Sequence, residues 1–422
     1  MTLENYRYDA TYCPRCSNCK WIDHVYMKSS RFAMICPSSA RYLFDTYSAQ
    51  GRMDLALALL DGHLGWGPKV LDAIYKCTLC GACDTMCKRN IDLEILEVLK
   101  GLREKVFEER KELKTHRSMV KGIKRYDNPW SRPRGVKTGW REGFSVKNVK
   151  EGAAVLFYAG CLPEGEPQYR LPRLALKILT EAHIDLGVLG TEEKCCGSLS
   201  YQVGERDVSL DIIRKNIETF NGLGIEELVT SCSMCYGMFK AVYPAYGKLN
   251  FKVSHVVEYI DRLIQDGRLR FNKTLDLKVT YHDPCHLGRL GESYVHWEGK
   301  RTEFGRLVPP KEFRRGTFGI YEPPRNILRS IPGLELVEME RIKENAWCCG
   351  AGGGVKAAYE DFALWTASER LEEVKSLGVD GLVTCCPHCE QNLSDAAKHN
   401  GAKIKIHDIL DLVWAGLNGM EV

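Results

Sequence analysis

Apolar residues recur at helical spacing through the first part of the chain. Ile95, Leu96, Leu99, Leu102 and Val106 make one stripe, with Asp92 as its expected N-cap. Arg52–Asp61 and Lys69–Tyr75 read as further helices. Beyond residue 153 the pattern changes. Short apolar runs (VLFY, ELVT, KVTY, GLVT) alternate with helix-like stretches such as 207–220 and 362–377. That alternation predicts parallel strands in α/β units. The expected fold is therefore α followed by α/β.

The α/β part repeats itself. Ala154–Cys161 (AVLFYAGC) matches Lys278–Cys285 (KVTYHDPC), KCCGS at 194–198 matches WCCGA at 347–351, and LVTSCSMC at 228–235 matches LVTCCPHC at 382–389. A fourth block starts at His255 and again at His407. Four blocks in one order indicate two copies of one domain. The expected division is a helical domain over 1–114, a basic linker over 115–152, and repeats over 153–270 and 271–422. Within 114–150, eleven Lys or Arg stand against Asp127 and Glu142, and Pro129, Pro133, Gly135, Gly139 and Gly143 break regular structure. This stretch reads as a solvated connector or as a docking strip for an acidic partner. The second repeat carries an aromatic, basic insertion at about 290–318, read as a surface loop or partner contact. It lengthens the gap between Cys285 and Cys348 to 62 residues, against 33 between Cys161 and Cys195.

Composition adds one decisive fact. The balance of 44% hydrophobic and 27% charged residues is ordinary, and a net charge of +4 does not argue for nucleic acid. The nineteen cysteines are not ordinary, and an odd number cannot all pair as disulfides. No secretory signal and no run of about 18 apolar residues is visible, so a reducing, cytoplasmic setting is expected, with the inner face of a membrane as an option. Thiols in that setting serve metals or redox chemistry.

Cys77, Cys80, Cys83 and Cys87 have the C-x2-C-x2-C-x3-C spacing of bacterial ferredoxins, in which the fourth cysteine ligates the other cluster. The partner run is Cys13, Cys16 and Cys19, followed by Cys36-Pro37. One cubane 4Fe–4S cluster is expected on Cys13, Cys16, Cys19 and Cys87, the other on Cys77, Cys80, Cys83 and Cys36. Zinc is the competing occupant, but two triple runs suit it poorly. The helical text between the runs favours a helical ferredoxin over a compact β-ferredoxin.

Each repeat offers five cysteines where a cubane needs four: Cys161, Cys195, Cys196, Cys232 and Cys235, then Cys285, Cys348, Cys349, Cys386 and Cys389. The leftover, Cys385, aligns with Ser231 and reads as a bystander. The run Gly350–Gly354 offers backbone N–H groups to sulfide or an anion.

A C-x31–38-CC-x33–36-C-x2-C motif, met by the first repeat and by the second apart from its insertion, resembles, with texts such as YHDPCHLGR and ENAWCCGAGGGV, the CCG domains of heterodisulfide reductases. The fusion of these repeats to a helical two-cluster ferredoxin resembles the HdrD type of that family, over roughly 10–115 and 153–415. The resemblance implies a noncubane 4Fe–4S cluster on each five-cysteine set, with zinc or a cubane as the alternative. It also implies that the two clusters face each other and reduce a disulfide, each giving one electron. His282, His286 and His388 are candidate proton donors, while His255 and His407 read as structural. No flavin or nicotinamide fingerprint is present, so a partner such as an HdrA-like flavoprotein must supply electrons, and a hetero-oligomer is expected. The alternatives are an electron relay similar to the HdrD-like protein of benzoyl-CoA reductase or bifurcating complexes, and an iron–sulfur subunit like those of glycerol-3-phosphate or glycolate dehydrogenases.

Overall fold

The computed structural model describes residues 2–162, 166–292, 295–303, 306–312 and 316–419. Its first part is helical, as expected. Helices span Pro37–Tyr42, Ala49–Leu60, Pro68–Tyr75, Ala82–Asn90 and Ile95–Glu108. The one β pairing among the described residues there is a bridge between Trp21 and Met34. The stripe Ile95, Leu96, Leu99, Leu102, Val106 packs with Met53, Ile74 and Tyr75 in the core of this part. Asp92 does not cap that helix. Glu94 stands at the N-cap, and Asp92 sits at φ 63° with its carboxylate turned to Lys311, 3.2 Å away.

The segment expected to be a linker is structured. Lys114–Tyr126 is a helix burying His116, Met119, Val120 and Ile123, and this face lies against Cys161, Cys195 and Val203. The i, i+3, i+4, i+7 spacing is present in the sequence, but four such positions among five Lys and Arg gave too thin a stripe to read. Asn128 then folds the chain on itself, its Oδ1 accepting from the N–H groups of Trp130 and Arg132 at 3.1 and 3.0 Å. The segment ends in β1 (Lys147–Asn148), which joins the first sheet.

That sheet contains β1, β2 (Val155–Tyr158), β3 (Leu186–Val188), β4 (Glu227–Thr230) and β5 (Lys252–His255), all parallel, in the order β1-β3-β2-β4-β5. The second sheet contains β6 (Leu277–Tyr281), β9 (Leu334–Leu336), β10 (Gly381–Thr384) and β11 (Lys405–Asp408), parallel in the order β11-β10-β6-β9. The topologies coincide, apart from the added β1. In each, the chain passes from the central strand to one side and then returns to the other, so a switch point lies between β2 and β4 and again between β6 and β10. Open α/β sheets place sites at such points, beyond the carboxyl ends of the strands. All ten repeat cysteines stand on the loops and helix starts after these strands.

The insertion is not a free surface loop in its described residues. It contains the antiparallel ribbon β7 (Lys300–Arg301) and β8 (Leu307–Val308) and lies on the helical part. Lys311, almost fully buried, pairs with Asp92 and Glu94, and His296 meets Tyr6 edge-on at 6.0 Å. The glycine run also has a packing task that the sequence did not announce. Gly353 has φ +66°, and a Cβ there would lie 2.7 Å from the Cys77 carbonyl oxygen. Only a residue without a side chain lets the second repeat approach the ferredoxin part so closely. Arg103, fully buried, bolts this seam, donating to the carbonyls of Gln202 (2.8 Å), Gly353 (2.7 Å), Ile74 (3.3 Å) and Cys77.

Candidate iron–sulfur centres and cavity

The eight N-terminal cysteines gather at helix ends. Cys36 is the N-cap of Pro37–Tyr42, Cys19 lies in the short turn Asn18–Lys20, and Cys83 and Cys87 stand on Ala82–Asn90. Burial pushes the Cys87 thiol up to about 12, with Cys19 among its charged neighbours. Burial likewise lifts Cys36, with Cys77 as a neighbour. Each run's last cysteine thus lies near the other run, although Cys36 also lies near Cys19. Arg52, itself buried, steadies the surrounding backbone through Ala73, Tyr47 and Lys76 carbonyls at 2.7–2.8 Å.

In the first repeat the Cys161 and Cys195 sulfurs lie 3.8 Å apart. Cys196 hydrogen-bonds with Cys195 and Cys235, and Cys235 with Cys232. Gly160, at φ +79°, lets the backbone pass where a Cβ would stand 3.1 Å from the Cys235 sulfur. In the second repeat Cys285 pairs with Cys348, Cys348 with Cys349, Cys349 with Cys389 and Cys389 with Cys386. The N–H groups of Gly197 and Gly350 donate to Cys195 and Cys348 alike, each at 3.3 Å.

Two further contacts join these sets. Cys232 hydrogen-bonds with Cys386 across the repeats, and Cys80 of the ferredoxin part hydrogen-bonds with Cys348. Neighbouring sulfurs therefore form one row, from Cys80 through the second repeat's set to the first repeat's set. The C-terminal set is the one that meets the ferredoxin part. Arg289 sits at that junction, donating to the carbonyls of Cys80 (2.6 Å), Glu344 (2.9 Å) and Ala346 (2.8 Å). Sequence reasoning passed over Arg289, although it stands inside the HDPCHLGR text.

The donor chemistry fits iron–sulfur cores. Cys235 is pushed far above the ordinary thiol range by its bonds to Cys196 and Cys232 and then by burial. Cys389 is pushed the same way by Cys349 and Cys386 and then by burial. Its partners Cys349 and Cys386 are held low instead, Cys349 by its bonds to Cys348 and Cys389, and Cys386, against its burial, by its bonds to Cys232 and Cys389; a metal core that brings positive charge would let all these sulfurs serve as thiolates. Cys385 stands outside the row, its sulfur 2.9 Å from the Tyr281 hydroxyl.

The candidate histidines are placed unequally. Burial holds His282 down to about 3 and His286 down to about 4. His388 stacks with Trp130 from the structured connector at 6.4 Å. His255 is buried and caps the helix after β5, accepting from the Val257 N–H at 3.4 Å. His407 lies one residue before its helix, where Asp408 is the cap. A cavity of about 290 Å³ opens between the ferredoxin part and the repeats, with Leu79, Gly237 and His286 in its wall. These are neighbours of Cys80, Cys235 and Cys285 in the chain. The His286 Nε2 is buried without a hydrogen-bond partner.

A helical dicluster ferredoxin fused to two cysteine-rich α/β domains with adjoining switch points defines an iron–sulfur oxidoreductase component. Comparison with known proteins agrees. A 4Fe-4S dicluster domain profile matches residues 9–91, and a cysteine-rich (CCG) domain profile matches 155–240 and 311–394. The D subunit of the dihydromethanophenazine:CoB–CoM heterodisulfide reductase of Methanosarcina acetivorans is 30% identical, over 97% of this chain and 94% of its own. The EtfAB:quinone oxidoreductase of Syntrophomonas wolfei is 27% identical over 82% of this chain and 47% of its own. The B subunit of the fumarate reductase (CoM/CoB) of Methanothermobacter marburgensis is 29% identical over 82% of this chain and 62% of its own. The chain belongs to the HdrD family of heterodisulfide reductase subunits. It is an iron–sulfur oxidoreductase component carrying 4Fe–4S clusters, noncubane ones included. No helix among the described residues is long and apolar enough to cross a membrane.

Proposed function

We propose that this chain passes electrons from its ferredoxin part to the two facing five-cysteine sets, where a disulfide takes up two electrons, and two protons from solvent, to give two thiols. The observation that carries this reading is the row of sulfurs from Cys80 to Cys161, flanked by a cavity that reaches His286. Cys13, Cys16, Cys19 and Cys87 would hold one cubane cluster, and Cys36, Cys77, Cys80 and Cys83 the other. Cys161, Cys195, Cys196, Cys232 and Cys235 would hold one noncubane cluster, and Cys285, Cys348, Cys349, Cys386 and Cys389 its counterpart. When bound, these groups supply the electrons, one from each facing noncubane centre.

The remaining work falls to the protein. The repeat cysteines are nearly all buried, which keeps water from the reacting sulfurs. The cavity pairs an apolar wall at Leu79, Met238 and Leu290 with Lys100, Arg206, Glu97 and Glu104. It suits an alkyl thiol chain ending in a polar group. His286, with Nε2 free of protein partners, would hydrogen-bond a substrate sulfur there. The functional division would be a ferredoxin part and two repeats, with the connector counted as part of the first repeat. An HdrA-like flavoprotein or another redox protein would feed the chain, and the free thiols suit a cytoplasmic setting, at or near the membrane's inner face.

Iron and acid-labile sulfide in anaerobically prepared protein test the assignment: about sixteen of each are required by four 4Fe–4S clusters. Disulfide-dependent EPR signals in that protein test the chemistry, and their absence with full iron would sink it. A relay without a substrate of its own is the second reading, favoured by the likeness to a quinone oxidoreductase. Co-purification separates the two: an HdrA-like flavoprotein, a cytochrome b or an FAD dehydrogenase would each point to a different complex.

A further inference from the structure

The two repeats differ at one position beside their sulfurs. In the aligned blocks, Tyr158 of the first repeat corresponds to His282 of the second. Tyr158 lies beside Cys196 and Cys235, and its hydroxyl donates to the Lys194 carbonyl at 2.7 Å. That hydrogen is spent away from the sulfurs. His282 stands beside the corresponding pair. One of its ring nitrogens and the sulfurs of Cys349 and Cys389 lie within 4.8 Å of one another, all buried.

A buried network behind His282 fixes which hydrogen the ring carries. Arg370 Nε donates to His282 Nδ1 at 3.3 Å. A guanidinium has only donors, so Nδ1 must be the acceptor and the ring proton must sit on Nε2. Arg370 is held in turn by Glu373 at 2.7 Å and by the Arg341 carbonyl at 2.9 Å. Glu373 also takes Arg341 Nε at 3.0 Å. Arg341, Arg370 and Glu373 are all at most 2% exposed. A ring whose Nδ1 lone pair is occupied and whose Nε2 is protonated has none left for iron. It has one N–H to give.

We infer that His282 is a positioning residue that donates an Nε2–H hydrogen bond to the thiolates of Cys349 and Cys389, making the C-terminal five-cysteine site the higher in potential of the two. This rests on the reading that both sets bind iron–sulfur cores. Hydrogen bonds to cluster sulfurs raise the reduction potential, and the equivalent hydroxyl of the first repeat makes none. The backbone donors Gly197 and Gly350 are matched, so they do not set the sites apart. The site favoured in this way is the one in contact with Cys80.

The test uses the full chain, prepared anaerobically, with EPR-monitored redox titration of the unaltered protein and of His282→Phe, His282→Gln and Tyr158→Phe. His282→Phe is expected to lower one noncubane midpoint by about a tenfold change in the reduced-to-oxidised ratio, ~59 mV for one electron. His282→Gln, which restores an N–H donor, is expected to recover most of the shift, and Tyr158→Phe to move neither midpoint. Pulsed EPR with 15N-histidine should show weak coupling through a hydrogen bond. Unchanged midpoints in His282→Phe at full iron content would overturn the inference. So would the strong coupling of a nitrogen bound to iron, or a loss of about four irons in both His282→Phe and His282→Gln. About eight irons in the unaltered chain would instead remove the underlying reading.

Discussion

The thiol of Cys232 lies against the thiol of Cys386, and these are the same position of the two repeats. The two repeats therefore meet beyond the carboxyl ends of β4 and β10, beside their switch points. The surrounding contacts hold that arrangement: Ser233 Oγ donates to the Cys385 carbonyl at 3.1 Å, and Arg170 reaches across to Glu390 and Asp411. Two five-cysteine sites are thereby brought to one place.

If these thiols are ligands, Cys232→Ala and Cys386→Ala should each remove about four irons per chain while sparing the ferredoxin-type signals. Iron analysis with EPR checks this. An unchanged iron content in either variant would exclude that cysteine from its set.

Arg103→Met should loosen the seam between ferredoxin part and repeats. It strips four carbonyl acceptors of their buried donor, a loss of about 3–5 kcal/mol. Thermal unfolding should begin earlier, and limited proteolysis should cut between the parts. A melting curve like that of the unaltered protein would refute this role.

Lys311→Met should free the insertion from the helical part. Glu94 would keep Lys88 at 2.6 Å and Asp92 only Arg301 at 3.8 Å, so losing the cation that pairs with both should cost about 1–3 kcal/mol. Faster hydrogen exchange at 295–303 and 91–95, with the repeats unaffected, is the expected pattern. Unaltered protection would return the insertion to a free loop.

His116 supplies a pH dependence. Burial holds it down to about 4, against 6.5 for the free side chain, and its Nε2 meets the Gly354 carbonyl at 3.1 Å. The folded chain therefore refuses a proton that the unfolded chain accepts. This term is absent above about pH 6.5, grows as pH falls and is complete below about 4, where it destabilises the fold by roughly 3 kcal/mol. His116→Gln should lessen the fall in stability between pH 6.5 and 4 in denaturant titrations, the other buried histidines, His255 among them, keeping their share. An identical slope in the variant would show that other groups carry the acid sensitivity.

The sequence by itself determined the elements and the candidate ligand sets. Strand-sized apolar runs between helical stretches fixed the α/β repeats, because side-chain periodicity is a local property. Cysteine spacing marked the candidate sets for the same reason: two-residue gaps need no knowledge of distant chain. The helix at Lys114–Tyr126 escaped notice because its three apolar positions, Met119, Val120 and Ile123, gain their meaning only from Cys161, Cys195 and Val203, which bury them. The docking of the insertion and the packing role of Gly353 escaped for a like reason, since their partners lie some 200 residues or more away, at Asp92 and Cys77. Only the tertiary structure decided that Cys80 meets Cys348 and that Cys232 meets Cys386. Those contacts depend on how whole domains dock, and docking is set by buried groups such as Arg103 and Arg289 whose acceptors are backbone carbonyls. A carbonyl has no side-chain identity, so no residue pattern announces it.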